Sequence, residues 1–96
     1  MELLVAYDVA TETADGRRRL RRVAKICQSY GQRVQKSVFE CVLNPMQFEQ
    51  FRCQLAAEID TESDSMRIYR LREPHEQYLE ILGRPHQFDI RDPIVL

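Results

Sequence analysis

The chain has 96 residues, 44% of them hydrophobic and 30% charged, which suits one globular domain and is too short for two. No apolar run approaches the ~20 residues needed to cross a bilayer, and the acidic Glu2 spoils the basic start of a secretory leader, so the expected compartment is the cytosol and no membrane partner is expected. Net charge is only −1, but residues 15–36 hold eight cations (Arg17, Arg18, Arg19, Arg21, Arg22, Lys25, Arg33, Lys36) against one acid, Asp15. That segment carries +7 and the remainder −8, so a nearly neutral protein has one concentrated candidate for anion binding.

Residues 3–8, "LLVAYD", are apolar at both parities and predict a central strand that ends on a carboxylate. The loop "VATETADG" follows, with Asp15 as the expected cap of a helix over 16–30. In that helix Leu20, Val23, Ala24, Cys27 and Tyr30 share one face, and Gly31 is the expected C-terminal cap. "RVQKSVFECVL" supplies either one bent strand or a tight pair, with Val34, Val38 and Val42 on one side and Ser37, Phe39, Cys41 and Leu43 on the other.

Asn44 and Pro45 then start a second helix, whose buried face carries Phe48, Phe51, Leu55 and Ile59. "DTESDS" reads as a turn and "MRIYRLR" as a strand. Pro74 interrupts it, and "EQYLEIL" is expected as a further strand. This succession comes close to the split βαβ pattern of α+β, ferredoxin-like domains. One domain is expected over 1–96, with the apolar end of "FDIRDPIVL" (88–96) as a tail that needs cover.

Cys27, Cys41 and Cys53 form no CxxC pair and are expected as small buried hydrophobes. His75 and His86 lie beside proline-broken loops, outside any HExxH spacing, so zinc chemistry is not expected from them. There is no Walker loop, no GxGxxG and no glycine elbow around Ser37.

Two features remain to carry chemistry. On a helical projection Arg18, Arg21, Arg22 and Lys25 fall within about a 100° arc opposite the apolar face, with Arg17 and Arg19 flanking the buried stripe. Like charges at 18/22 and 21/25, and arginine near the positive end of the helix dipole, are small penalties that a docked phosphate removes. Asp8 is the other feature: ligands gather at the C-terminal ends of strands in open sheets. A single aspartate makes a poor Mg²⁺ site, whereas two copies across a dimer, with water and substrate phosphate, suffice.

Three stretches together, "VAYDV" at 5–9, "QRVQKSVFEC" at 32–41 and "DSMRIYRL" at 64–71, resemble the small CRISPR-associated endonucleases, the "Cas two" subunit of spacer acquisition. The likeness implies a ferredoxin-like homodimer whose C-terminal strand pairs with the partner's sheet. It implies Mg²⁺ or Mn²⁺ between two copies of Asp8, with Tyr7 beside it as a further catalytic-site residue and with Ser37 and Phe39 in support. Phosphate-binding positions are implied among Arg17, Arg18, Arg19, Arg21, Arg22, Lys25 and Arg33. The implied partners are a CRISPR-associated integrase subunit and nucleic acid, as duplex DNA or single-stranded RNA. A metal-dependent nuclease is one implied activity and a non-catalytic DNA-binding scaffold is another. An RNA-binding ferredoxin-like module is a third reading, although "KSVFE" lacks the glycine-aromatic pattern of such strands.

Overall fold

The computed structural model describes residues 1–84. Its elements follow the order β1 (Glu2–Asp8), α1 (Ala14–Tyr30), β2 (Gly31–Gln35), β3 (Val38–Val42), α2 (Pro45–Glu58) and β4 (Ser65–Arg70), then a short 3₁₀ helix over His75–Tyr78. The four strands form one antiparallel sheet in the order β2-β3-β1-β4, which is the ferredoxin-like arrangement, with both helices on one face. Among the described residues no helix is long and apolar enough to cross a membrane.

Strand alternation decides what lies beneath the helices. Leu3, Val5 and Tyr7 of β1 and Phe39 and Cys41 of β3 are buried against Val23, Ala24 and Cys27 of α1 and Phe51 and Leu55 of α2. The opposite parity (Leu4, Ala6, Val38, Val42, Tyr69) forms an open face on which Val42 is 70% and Tyr69 46% exposed. The segment 33–43 is the tight pair. Lys36 and Ser37 make the turn; Arg33 pairs with the inward-facing Phe39, so Arg33 rather than Val34 faces the core, and the register shifts only after it, between Arg33 and Gln35.

Several local expectations are corrected. Helix α1 begins at Ala14, and Thr13 is its cap, accepting the Gly16 N–H at 3.0 Å. Asp15 therefore lies in the first turn, where a carboxylate offsets the dipole. Gly31 does cap the helix as expected, its N–H donating to the Cys27 carbonyl, but in an extended conformation that starts β2 directly; it must be small because a Cβ there would lie 2.4 Å from Cys41 Sγ and from the Glu40 carbonyl oxygen. Cys53 is exposed, unlike Cys27 and Cys41. "EQYLEIL" is not a strand: Glu76, Gln77 and Tyr78 belong to the 3₁₀ helix, and residues 79–82 have no regular structure. The expected pairing tail at 88–96, like His86, lies outside the described residues.

The start of α2 follows its sequence. Asn44 accepts the Gln47 N–H at 2.8 Å, the Gln47 side chain accepts the Asn44 N–H at 3.0 Å, and Pro45 occupies the first turn. Phe51 and Leu55 are buried, and Phe48 and Ile59 pack against them.

Candidate nucleic-acid interface

One end of the sheet gathers the candidate residues. Asp8 closes β1 opposite Ser65, the first residue of β4. The β2–β3 turn arrives beside it, and the Ser37 carbonyl accepts the Tyr7 N–H at 3.1 Å. Helix α1 begins at the same end after a short loop. Asp8 is exposed, and among the described residues its carboxylate has no hydrogen-bond or ion-pair partner. Two hard oxygens are thus free for an oxygen-seeking cation such as Mg²⁺, but one carboxylate offers too few ligands for a site without a second copy or a substrate phosphate.

Tyr7 does not share that site. Adjacent residues of a strand face opposite ways, and Tyr7 turns into the core, stacked on Phe39 with ring centroids 6.2 Å apart. The Arg33 guanidinium lies over the other partner of that stack, 5.0 Å from the Phe39 centroid, and is buried. Burial pushes the Tyr7 phenol above its usual range, and the nearby Arg33 charge partly opposes this. Tyr7, Phe39 and Arg33, expected around the site, instead form a stack under the helices on the side of the sheet away from Asp8. They hold the end of β1 from below.

Arg19 is also turned from its expected role. Its Nε and Nη2 donate to the Asp64 carboxylate at 2.9 and 3.4 Å, and the Asp64 side chain is fully shielded. Asp64 further accepts the Ala10 N–H at 3.0 Å and the Asp60 N–H at 2.9 Å. Burial works against its charge, but Arg19 and the two backbone donors outweigh burial and hold the carboxyl below its ordinary range. One side chain therefore ties α1, the loop following Asp8 and the approach to β4 together. The sequence shows Asp64 only as one acid among several in a polar turn, with no signal that it is the buried one.

The remaining cations are on the surface. Arg17 donates to the Thr11 carbonyl at 3.1 Å, folding against the loop after Asp8. Arg18 pairs with Asp15 at 3.7 Å, and Arg22 with Glu58 of α2 at 3.4 Å. Arg21 and Lys25 are exposed and, among the described residues, have no acidic partner. Exposed pairs of this kind contribute about 0–1 kcal/mol and yield readily to a phosphate. Lys36, exposed in the β2–β3 turn, adds a cation at the Asp8 end that the sequence showed only as charge.

The architecture defines a ferredoxin-like domain with an uncommitted strand-end carboxylate and a basic first helix. Residues 1–78 match the family model described as CRISPR associated protein Cas2. The chain belongs to the Cas2 family. It is 53% identical to the "CRISPR-associated endoribonuclease Cas2 1" of Moorella thermoacetica over 100% of both chains. It is 45% identical to the "CRISPR-associated endonuclease Cas2" of Halalkalibacterium halodurans over 99% of each. Its fold superposes on the crystal structure of Streptococcus pyogenes Cas2 with a TM-score of 0.78 and 51% identity, covering 86% of this chain and 100% of that one.

Proposed function

We infer that the chain is a metal-dependent endonuclease that works as a homodimer beside a CRISPR-associated integrase subunit in spacer acquisition. The observation that carries the catalytic part is the exposed, unpartnered Asp8 at the end of β1. The names of the Moorella and Halalkalibacterium relatives agree with that activity. One Asp8 from each of two protomers would hold a Mg²⁺ or Mn²⁺ ion; when bound, such an ion neutralises phosphodiester charge and activates water for hydrolysis. Arg17, Arg18, Arg21, Arg22 and Lys25 hold the phosphate backbone without reading sequence. The open sheet face, with Leu4, Ala6, Val38, Val42 and Tyr69, is an apolar surface suited to a second copy.

A second reading has its own support. The stripe from Arg18 to Lys25 runs about 10 Å along α1, and Tyr7 is too buried to act on a bound strand. The dimer is then a duplex-binding scaffold and the integrase does the chemistry. The two readings separate in a nuclease assay on duplex DNA and single-stranded RNA, with Mg²⁺ or with chelator, for wild type and Asp8→Ala. Cleavage that needs the metal and disappears in a folded Asp8→Ala supports the nuclease. Wild-type rates in Asp8→Ala would overturn it, and duplex binding without any cleavage supports the scaffold.

A further inference from the structure

Asp8 opens onto the bare face of the sheet, and the basic stripe of α1 does not share that face. Both helices cover the other side, and Arg18, Arg21, Arg22 and Lys25 are exposed on the helix, opposite its buried Val23, Ala24 and Cys27. Such cations suit the flanking phosphates of a bound strand better than the one at Asp8.

The register places a different cation beside the carboxylate. Strands β1 and β4 run antiparallel, with Asp8 opposite Ser65, Ala6 opposite Arg67 and Leu4 opposite Tyr69. Asp8 and Arg67 are therefore diagonal neighbours on one face, positions about 7–8 Å apart in such a ladder. The other diagonal holds Ala6 and Ser65, both small, so neither fills the space between carboxylate and guanidinium. Among the four described strands Arg67 is the only Lys or Arg on this face: Arg33 and Arg70 alternate to the other side.

Two further properties suit Arg67 to an anion. It is exposed, and among the described residues it has no carboxylate partner, although Asp8 is one diagonal away. Its Nη1 donates instead to the Tyr69 hydroxyl at 3.1 Å. A neutral hydroxyl thus orients the guanidinium without cancelling its charge. One of its five N–H donors is used in this way, and the four left can supply the two parallel bonds of a fork on a phosphate. Lys36 reaches the same end from the β2–β3 turn, but as a point charge that nothing among the described residues aims.

We propose that Arg67 binds the scissile phosphodiester at Asp8 through its non-bridging oxygens, and that Tyr69 is the positioning residue for the guanidinium. The proposal rests on the nuclease reading of Asp8 and adds the group that takes up the substrate's charge. In hydrolysis the water oxygen bonds to phosphorus, the bond to the leaving oxygen breaks, and the proton lost by the water ends on that oxygen. Negative charge on the non-bridging oxygens peaks between these events, where a fixed guanidinium stabilises most. Arg67 itself neither gains nor loses a proton.

The test compares full-length wild type, Arg67→Ala, Arg67→Lys and Tyr69→Phe on duplex DNA and single-stranded RNA in Mg²⁺. Arg67→Ala should lower kcat about 10²- to 10³-fold, the usual loss of one such donor, and change KM little because the α1 stripe still holds the backbone. Arg67→Lys keeps the charge without the fork and should recover part of that loss. Tyr69→Phe should lower kcat by less than Arg67→Ala, and all three should sediment as wild type does. Wild-type kcat in Arg67→Ala overturns the proposal, as does a loss that sedimentation traces to a changed oligomeric state. If wild type cleaves neither nucleic acid, the nuclease reading of Asp8 fails on its own, and binding of the same RNA in Mg²⁺ decides on Arg67. One lost phosphate contact lowers the log–log salt slope by about 0.7 in Arg67→Ala, and an unchanged slope overturns Arg67 as a phosphate ligand.

Discussion

Replacing Asp64 with alanine removes four interactions at once: two with Arg19 and one each with the Ala10 and Asp60 N–H groups. Arg19 keeps some access to water and can resolvate, so most of the loss falls on the two backbone donors. Each part-buried donor left without an acceptor costs toward the lower end of about 1–3 kcal/mol, which puts Asp64→Ala near 3 kcal/mol. For a domain of this size 1 kcal/mol moves Tm by about 4–8 °C, so a fall of about 12–24 °C is expected in differential scanning calorimetry.

Asp64→Asn keeps an acceptor for one backbone donor and should lose roughly half as much. The pH dependence has a definite sign. A carboxyl held below its unfolded value contributes stability above that value, about 3.9, and the contribution is lost as pH falls through the folded-state pKa. The gap between wild type and Asp64→Asn should therefore be full at neutral pH and should close in acid. An Asp64→Ala protein melting within 4 °C of wild type at pH 7 would refute the clamp, as would a gap that widens on acidification.

Neutralising Arg18, Arg21 and Arg22 together should weaken duplex binding evenly across sequences and lower the log–log salt slope by about 0.9 per lost phosphate contact. Its Tm should change little, because only two exposed ion pairs are lost; unchanged affinity at low salt would reduce the stripe to a solvated helix face. Gly31→Ala should destabilise by about 1–3 kcal/mol in urea, since the new methyl meets a backbone carbonyl that cannot move aside. A wild-type midpoint would show that the α1–β2 junction is looser than described. Burial pushes the Cys27 thiol up to about 12 and the Cys41 thiol to about 11. Native protein should then show one fast thiol per chain toward a disulfide reagent, and Cys53→Ser should remove it; three fast thiols would contradict that burial.

What the sequence made legible was local and periodic. The α1 stripe of Val23, Ala24 and Cys27, the α2 stripe of Phe51 and Leu55, and the Asn44–Pro45 start each rest on residues only a few positions apart. The placement of Asp8 at a strand end follows from the same pattern. Side-chain direction was less legible. Arg33 pairs with Phe39 and shares its inward side, and strand alternation separates Tyr7 from Asp8, so residues grouped by motif divide between two faces. The Arg19 clamp was not legible because its partner, Asp64, is 45 residues away. Convergence at that range depends on tertiary closure, and no helical or strand period encodes it. "EQYLEIL" failed for a related reason: Tyr78, Leu79, Ile81 and Leu82 make a short apolar run that suits a strand by composition, but the chain folds into a 3₁₀ helix over His75–Tyr78 instead of extending.

The sheet order also sets the sequence of events during folding. Its central strand, β1, is the earliest of the four in the chain, yet one of its two neighbours is the latest described strand: Leu3 meets Arg70 and Asp8 meets Ser65. During synthesis β1 must therefore wait, one edge unpaired, until some sixty further residues have left the ribosome. Such distant pairing is entropically slow, and an unpaired apolar strand invites association with other chains in the interval. The end of β1 acquires its final surroundings only when Asp64 and Ser65 arrive. No amino-terminal fragment that stops short of β4 can carry Asp8 in its finished surroundings, so truncated translation products lack them.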